Sequence, residues 1–472
     1  MNTVPMIIDG LPVTTEATLG VINPATGEVF ARVPAGTAAH VDAAVAAAQS
    51  AFPAWRETPD AERQRLLHAL GDALQAQMPE LMQLVTKESG KPLNGLEGIG
   101  AGMEVGGAIA WTHVTADLSL PVEVVQDNEV ARVEVHRVPL GVVGSIAPWN
   151  WPLLIAIWHV IPALRAGNTV VIKPSEFTPL ATLRFVELAN GILPKGVLNI
   201  VTGGEVGAAM TAHPGIAKIV FTGSTETGRQ VALGAISTFK RLTLELGGND
   251  AGIILPGTKI DPLLEKLFWG CFINGGQTCA ALKRLYVHES QYEEVVKKFS
   301  DYVAKIPVGN GMDPQSLIGP VTNKAQREIV STFVEDARKK GARVVTGGKM
   351  PSGPGFFYPL TVVADCTDDM LLVKEEQFGP AIPVIKYKTV EEAIARANAS
   401  DVGLGGSVWG DDVAEATKYA VRLECGTTWI NQHGGLHPLA CFGGVKSSGI
   451  GTEFNVDGLK EYTTIQTVNV AR

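Results

Sequence analysis

A chain of 472 residues exceeds what one hydrophobic core supports, so two or three packed units are expected. With 46% apolar and 18% charged residues the composition is that of a globular protein, and a net charge of -9 opposes nucleic acid and anionic membrane as partners. The five cysteines, Cys271, Cys279, Cys366, Cys425 and Cys441, are odd in number and form no C-x-x-C pair, which predicts reduced thiols in a cytoplasmic setting. Met1 to Gly10 carries Asp9 and has neither a basic start nor a long apolar run, so no secretory signal is read there.

Taken in chain order, Asn23-Pro24-Ala25-Thr26-Gly27 predicts a turn, and the rest of the first hundred residues reads as helical. Val41–Ala51 and Glu62–Gln77 have the highest helix propensity. In Asp117–Pro139, Val122, Val124, Val130, Val133 and Val135 are interleaved with charged residues, which predicts a protruding hairpin turning near Asp127-Asn128. Exposed strands need an edge to pair with, so an oligomer contact is expected there. Val138 to Leu164 lacks Asp, Glu, Lys and Arg and has the length of a membrane span, but Pro139, Pro148, Pro152 and Pro162 interrupt it. The better reading is a strand (Val142–Ala147), a proline-rich turn and an apolar helix from about Pro152.

Short apolar runs then alternate with helical stretches. Thr169–Ile172, Leu198–Val201, Lys218–Thr222 and Leu242–Leu246 read as strands, and segments such as Thr178–Asn190 as crossover helices. That rhythm predicts an α/β fold with a parallel sheet, whose ligands sit at the carboxyl ends of the strands. After Gly247-Gly248 the pattern restarts with Ala251–Leu255 and Asp261–Phe272 and continues to about Ile430, a second α/β domain.

Several segments at these strand ends carry chemistry-bearing residues. Cys279 follows a tight Asn274-Gly275-Gly276-Gln277-Thr278 loop; it reads as a nucleophile or as a small buried hydrophobe. Glu245 ends an apolar strand, where desolvation would raise it toward a useful base; an ion-paired strand-end glutamate is the alternative. Asn150 in Pro148-Trp149-Asn150 is placed to donate to an oxyanion or to cap an ordinary turn.

Lys173-Pro174-Ser175-Glu176 offers a rigid grip on a ribose diol, its acidic residue disfavouring a 2′-phosphate, or a solvated strand end. Phe221-Thr222-Gly223-Ser224 opens a helix and suits a pyrophosphate, although its G-x-x-x-x-G spacing matches neither the dinucleotide fingerprint nor a P-loop. Simple capping by Ser224 remains open.

Together the segments P-W-N, K-P-S-E, F-T-G-S-T-x-x-G, L-E-L-G-G, G-Q-T-C and E-E-x-F-G-P, in this order and with 34 residues from Glu245 to Cys279, resemble the aldehyde dehydrogenase superfamily over essentially the whole chain. The resemblance implies a Rossmann-like parallel-sheet cofactor domain (1–116 and 140–246), an α/β catalytic domain (247–446) and a small β-hairpin oligomerisation element (117–139 and 447–472). It implies NAD as cofactor, no metal, and a homodimer or homotetramer in which the hairpin meets a partner's C-terminal strand, here roughly Tyr462–Val470.

By the same resemblance Cys279 is the nucleophile of a thioester mechanism, Glu245 activates the hydrolytic water and Asn150 lines the oxyanion hole. Lys173, Ser175 and Glu176 would hold the adenosine ribose, with Gly207 beside them, and Gly223 and Ser224 the pyrophosphate. Ile146, Trp149, Phe221 and Leu246 would flank the dinucleotide, Glu376 the nicotinamide ribose and Phe378 its ring. Trp151, Leu154, Ile155, Trp158, Thr278, Leu436 and Phe442 would line the aldehyde tunnel. Their apolar and aromatic character suits aromatic or medium-chain aldehydes, with a semialdehyde, or a betaine-type aldehyde held by Trp151 and Trp158, as alternatives. A non-catalytic NAD-binding protein is a remote one. His433 and His437 read as ordinary loop histidines. One departure is Cys441-Phe442-Gly443-Gly444, with cysteine where many members have proline; it reads as a buried thiol.

Overall fold

A computed structural model describes residues 3–95 and 98–472. Its first sheet has eight strands, in the order Leu11–Val13, Met6–Ile8, Leu198–Ile200, Thr169–Lys173, Val142–Ile146, Lys218–Thr222, Arg241–Glu245 and Gly449–Ile450. The five central strands are parallel. The first of the five in sequence, Val142–Ile146, lies in the middle, and the chain runs outward from it first to one side and then to the other. The order therefore reverses between its two neighbours, opening a crevice at the carboxyl ends there. Val142–Ile146 and Lys218–Thr222 are buried at every residue, as strands covered on both faces by helices must be, which is why they read as apolar runs without alternation.

The second sheet runs Arg343–Thr346, Thr361–Ala364, Ala381–Tyr387, Leu282–His288, Asp250–Ile254, Gly405–Trp409, Thr427–Ile430, and is parallel except for its first strand. A third, three-stranded sheet holds Glu123–Asp127, Ala131–Pro139 and Thr463–Ala471. Predicted strands recur within about a residue of their expected ends.

Three expectations need correction. Glu28–Pro34 is a strand, paired with Thr18–Asn23 across the Asn23–Gly27 turn, and the helices begin only at Ala38. The C-terminal strand pairs with Ala131–Pro139 of its own chain, in unbroken antiparallel register from Thr463↔Pro139 to Ala471↔Ala131, so the hairpin's third strand comes from the same polypeptide. Gly449–Ile450, assigned to the oligomerisation element, is instead the edge of the first sheet beside Leu244 and Glu245. No helix among the described residues is long and apolar enough to cross a membrane.

The apolar helix Pro152–Arg165 is buried along nearly its whole length and opens with proline, whose missing N–H is no loss at that position. Its first free N–H groups, those of Leu153 and Leu154, donate to Glu104 Oε1. Glu104 Oε2 pairs with Lys91 Nζ at 2.8 Å, both side chains being out of water. Lys91→Met would strand the Glu104 charge without a partner, at a cost of about 3–5 kcal/mol. We expect an earlier urea midpoint for this variant and partial recovery in Lys91→Met/Glu104→Gln.

Candidate active site

Three successive left-handed residues, Asn274 (φ 53°), Gly275 (φ 63°) and Gly276 (φ 75°), reverse the chain after the helix Leu264–Phe272. At Gly276 a Cβ would stand 2.3 Å from Gly379 O, so only glycine fits. The turn brings Gln277, Thr278 and Cys279 back against Trp149–Trp151. Gln277 is fully buried; its Nε2 donates to Asn274 O (2.9 Å) and its Oε1 accepts from Thr322 N (2.9 Å).

Gln277 O accepts from Asn150 Nδ2 and from Asn274 Nδ2, both at 3.1 Å. Asn150 O in turn accepts from Asn274 Nδ2 (2.8 Å) and from Lys91 Nζ. The two loops, 124 residues apart between Asn150 and Asn274, are thus tied by their own amides. Asn150 spends one of its two amide hydrogens on this tie. Trp151 Nε1 adds a further bond to Thr278 Oγ1 (3.1 Å).

Cys279 is partly exposed on the floor of the crevice and faces Glu245, which ends its strand 3% exposed with Oε1 unpartnered. Desolvation, then repulsion from Glu453, push the Glu245 carboxyl well above its ordinary value; a hydrogen bond with the Cys279 thiol opposes them. Desolvation and the Glu245 carboxylate likewise push the thiol well up, with Lys283 pulling it down.

Behind Glu245, buried Glu453 leaves both carboxylate oxygens without a hydrogen bond, and burial pushes it up to about 7. His159 Nε2 stands 3.6 Å from Glu453 Oε1 and is bonded to Thr222 Oγ1 (3.0 Å), while its Nδ1 meets Ser145 Oγ (3.0 Å). Burial, with Lys218 nearby, holds that imidazole down to about 3, so it is neutral.

Cys279, Glu245 and Asn150 share one cavity of about 430 Å³. Its walls are the carboxyl-end residues of the first sheet: Ile146 and Trp149, Lys173 and Ser175, Phe221, Gly223 and Ser224. Glu376 and Phe378 close it from the other half of the chain. Phe378 sits at φ 44°, rare for its type, and packs edge-on against Trp149 (5.2 Å, 82°). Ser224 caps the helix Thr225–Ile236 by accepting from Thr227 N, so capping and an anion-ready helix start coexist. Burial lowers the Lys173 ammonium pKa, opposed by Glu176, and among the described residues it donates only to Pro174 O. Glu376 is pushed up to about 7 by burial.

Three expected cofactor residues are not part of this wall. Glu176 is exposed, with its carboxylate against Gly204; Gly207 lies under the Lys173 stem; Leu246 is buried against Gly228. Conversely, Thr222, Thr227, Gly247 and Gln326 line it without having been singled out. Thr222 and Thr227 lie inside a segment already chosen, whereas Gln326, in the helix Lys324–Lys339, has no local motif to mark it.

A model of the aldehyde dehydrogenase family matches residues 13–468. The chain belongs to the aldehyde dehydrogenase family. It is 40% identical to a phenylacetaldehyde dehydrogenase of Pseudomonas fluorescens, covering 99% of this chain and 95% of that one. It is also 40% identical to retinaldehyde dehydrogenase 3 of Homo sapiens, covering 95% and 88%. Among solved structures, the NAD+ complex of an aldehyde dehydrogenase from Bacillus cereus superposes with a TM-score of 0.96 at 36% identity, covering 100% of this chain and 97% of that one.

On the other side of Cys279 this dehydrogenase presents aromatic and aliphatic surface. Cys279, Leu436 and Phe454 pack against the cluster of Ala280, Leu404, Trp429 and Phe442, and Phe454 joins Trp158 (4.8 Å) and Trp111 (5.5 Å). Trp111 and Phe454 were not anticipated. Trp151 and Leu154 keep 6% and 7% exposure and Trp158 keeps 8%, while Ile155, at 1%, is closed off in the core. Lys91 Nζ already lies 4.5 Å from the Trp151 ring centroid. The His433 side chain is sealed between Ser407 Oγ (2.9 Å) and Asp250 Oδ2 (3.3 Å), and His437 is exposed. Cys441 is exposed, not buried, with Asp457 Oδ2 at 4.0 Å from its sulfur.

Proposed function

We propose that this enzyme oxidises an aldehyde to its carboxylic acid with NAD+, through a covalent thioester on Cys279 that is hydrolysed and not passed to another acceptor. The observation that carries this reading is the convergence of Cys279, Glu245 and Asn150 on the cavity formed at the sheet's carboxyl rim. The residues present fit the cofactor. A helix start at Gly223 and Ser224 suits a pyrophosphate, Lys173 has no acceptor among the described residues but its neighbour's carbonyl, and Glu376 lines the cavity to meet a ribose diol. The cofactor supplies the acceptor for the hydride.

Cys279 as thiolate attacks the aldehyde carbon, giving a tetrahedral thiohemiacetal whose oxyanion can expel hydride. Asn150, with the Cys279 backbone N–H, would hold that oxyanion; one such donor is worth about 2.7–4 kcal/mol. Glu245 then takes a proton from the water that opens the thioester. Its presence supports hydrolysis over acyl transfer.

Residues 1–116 with 140–246 would form the cofactor part, 247–446 the catalytic part, and 117–139 with the last strand the contact of a homodimer or homotetramer. For the substrate, the surface beside Cys279 supports an aromatic or medium-chain aliphatic aldehyde. The alternative of a quaternary ammonium aldehyde loses ground because the Lys91 ammonium already occupies the Trp151 ring. A panel of aldehydes compared by kcat/KM in an NADH absorbance assay tests this. We expect phenyl-substituted and medium-chain aldehydes to lead, by about 10-fold or more over betaine aldehyde, given about 1–3 kcal/mol per well-filled apolar group. A lead for the cationic or dicarboxylic substrate would refute the reading.

A further inference from the structure

Immediately after the nucleophile loop the strand Leu282–His288 begins, and its second residue, Lys283, is 1% exposed. A buried ammonium is costly unless it is fully engaged. Lys283 Nζ donates to Gly276 O (3.0 Å) and Thr278 O (2.7 Å), the two carbonyls on either side of Gln277. Nζ also stands 3.9 Å from Glu376 Oε1, beyond hydrogen-bond length, and 5.0 Å from the Phe378 ring centroid. A neutral amide could make the two carbonyl bonds. It could not supply the charge that the Glu376 carboxylate and the Phe378 ring face.

We propose that Lys283 is a positioning residue for the reaction, a fixed internal cation that locks the Cys279 loop to Glu376 and supplies positive charge beside the sulfur. This rests on the reading of Cys279 as nucleophile. The charged and titratable groups around the two ends are Glu245, Glu376 and Lys283 at Cys279, and Glu376, Asp250, Cys279 and Cys271 at Lys283. Within that set Lys283 favours the thiolate, whereas Glu376 and Glu245 oppose it. The cation also opposes the desolvation that raises the Glu376 carboxyl, so it acts on both sides of the site.

The test is the pH dependence of Cys279 alkylation by iodoacetamide without cofactor, followed on the Cys279 peptide by mass spectrometry because Cys441 is also exposed. In Lys283→Met the profile should move to higher pH by about one unit, a roughly tenfold slower reaction below the midpoint. KM for NAD+ should rise several-fold, and Lys283→Arg should restore both. Glu376→Gln, which keeps the lysine and removes the opposing charge, should move the same profile to lower pH. A folded Lys283→Met protein with an unmoved profile overturns the proposal, and so does an unmoved profile in Glu376→Gln if the methionine variant does not fold. Failure of the underlying reading would look different: Cys279→Ala would retain aldehyde turnover, whatever the alkylation profiles show.

Discussion

Cys279→Ala is expected to abolish aldehyde-dependent NADH formation, with a loss on the order of 10⁶-fold, as when the nucleophile is removed from another covalent mechanism. The argument is geometric. Cys279 is the sulfur in the cavity, and no other side chain lining it offers a comparable nucleophile. Cofactor binding, read by NAD+ titration of tryptophan fluorescence through Trp149, should survive, because the cradle of Lys173, Ser224 and Glu376 is untouched. Undiminished turnover would refute the thioester mechanism.

Glu245→Gln should separate the two halves of the reaction. Attack and hydride transfer need only the sulfur and the oxyanion donors, so a burst of about one NADH per active site should remain. Steady-state turnover should fall by about 10²–10⁴-fold, the usual worth of a positioned base. As the proposed base, Glu245 would act only when ionised, and desolvation with Glu453 behind it raises its pKa. Deacylation should therefore weaken as pH falls through that raised value. Glu453→Gln, by removing the repulsion, should move this acid limb to lower pH. Normal steady-state turnover of Glu245→Gln at neutral pH would remove it as the base.

Glu453 also links catalysis to stability. Its carboxyl rises from an ordinary 4.5 to about 7 in the folded chain. Its stabilising contribution is thus complete below the ordinary value and is lost as pH rises through about 7.

Much of the site was legible because its parts are local. In an open parallel sheet each strand ends at the ligand, so Trp149, Lys173, Gly223 and Glu245 announce themselves just beyond or at the end of a run of apolar residues. The positions that stayed hidden belong to other chain segments. Gln326 reaches the cavity from the first turn of an amphipathic helix, and Phe454 and Glu453 arrive from a late segment read only as part of the oligomerisation element. Their roles come from tertiary placement, which no local pattern encodes. Glu28–Pro34 was hidden differently: a strand mostly open to solvent lacks the apolar run that marks the buried ones. The hairpin Asp117–Pro139 did signal its need for a strand neighbour, but edge pairing is satisfied equally by the same chain or another, and here the same chain supplies it.

The return of the late segment to the first sheet bears on how the polypeptide matures during synthesis. Leu246 N bonds to Ser448 O, Asn168 Nδ2 to Tyr462 O, and Thr463–Ala471 closes the hairpin. A nascent chain that has emerged through Glu245 still carries an unzipped rim and an uncovered ribbon. At about 5–20 residues per second it waits on the order of tens of seconds for the pieces that seal them. Holdase chaperones should matter most in that interval, because a chain lacking residues 447–472 keeps nearly all its core while the Leu244–Glu245 edge and the Ala131–Pro139 strand stay uncovered.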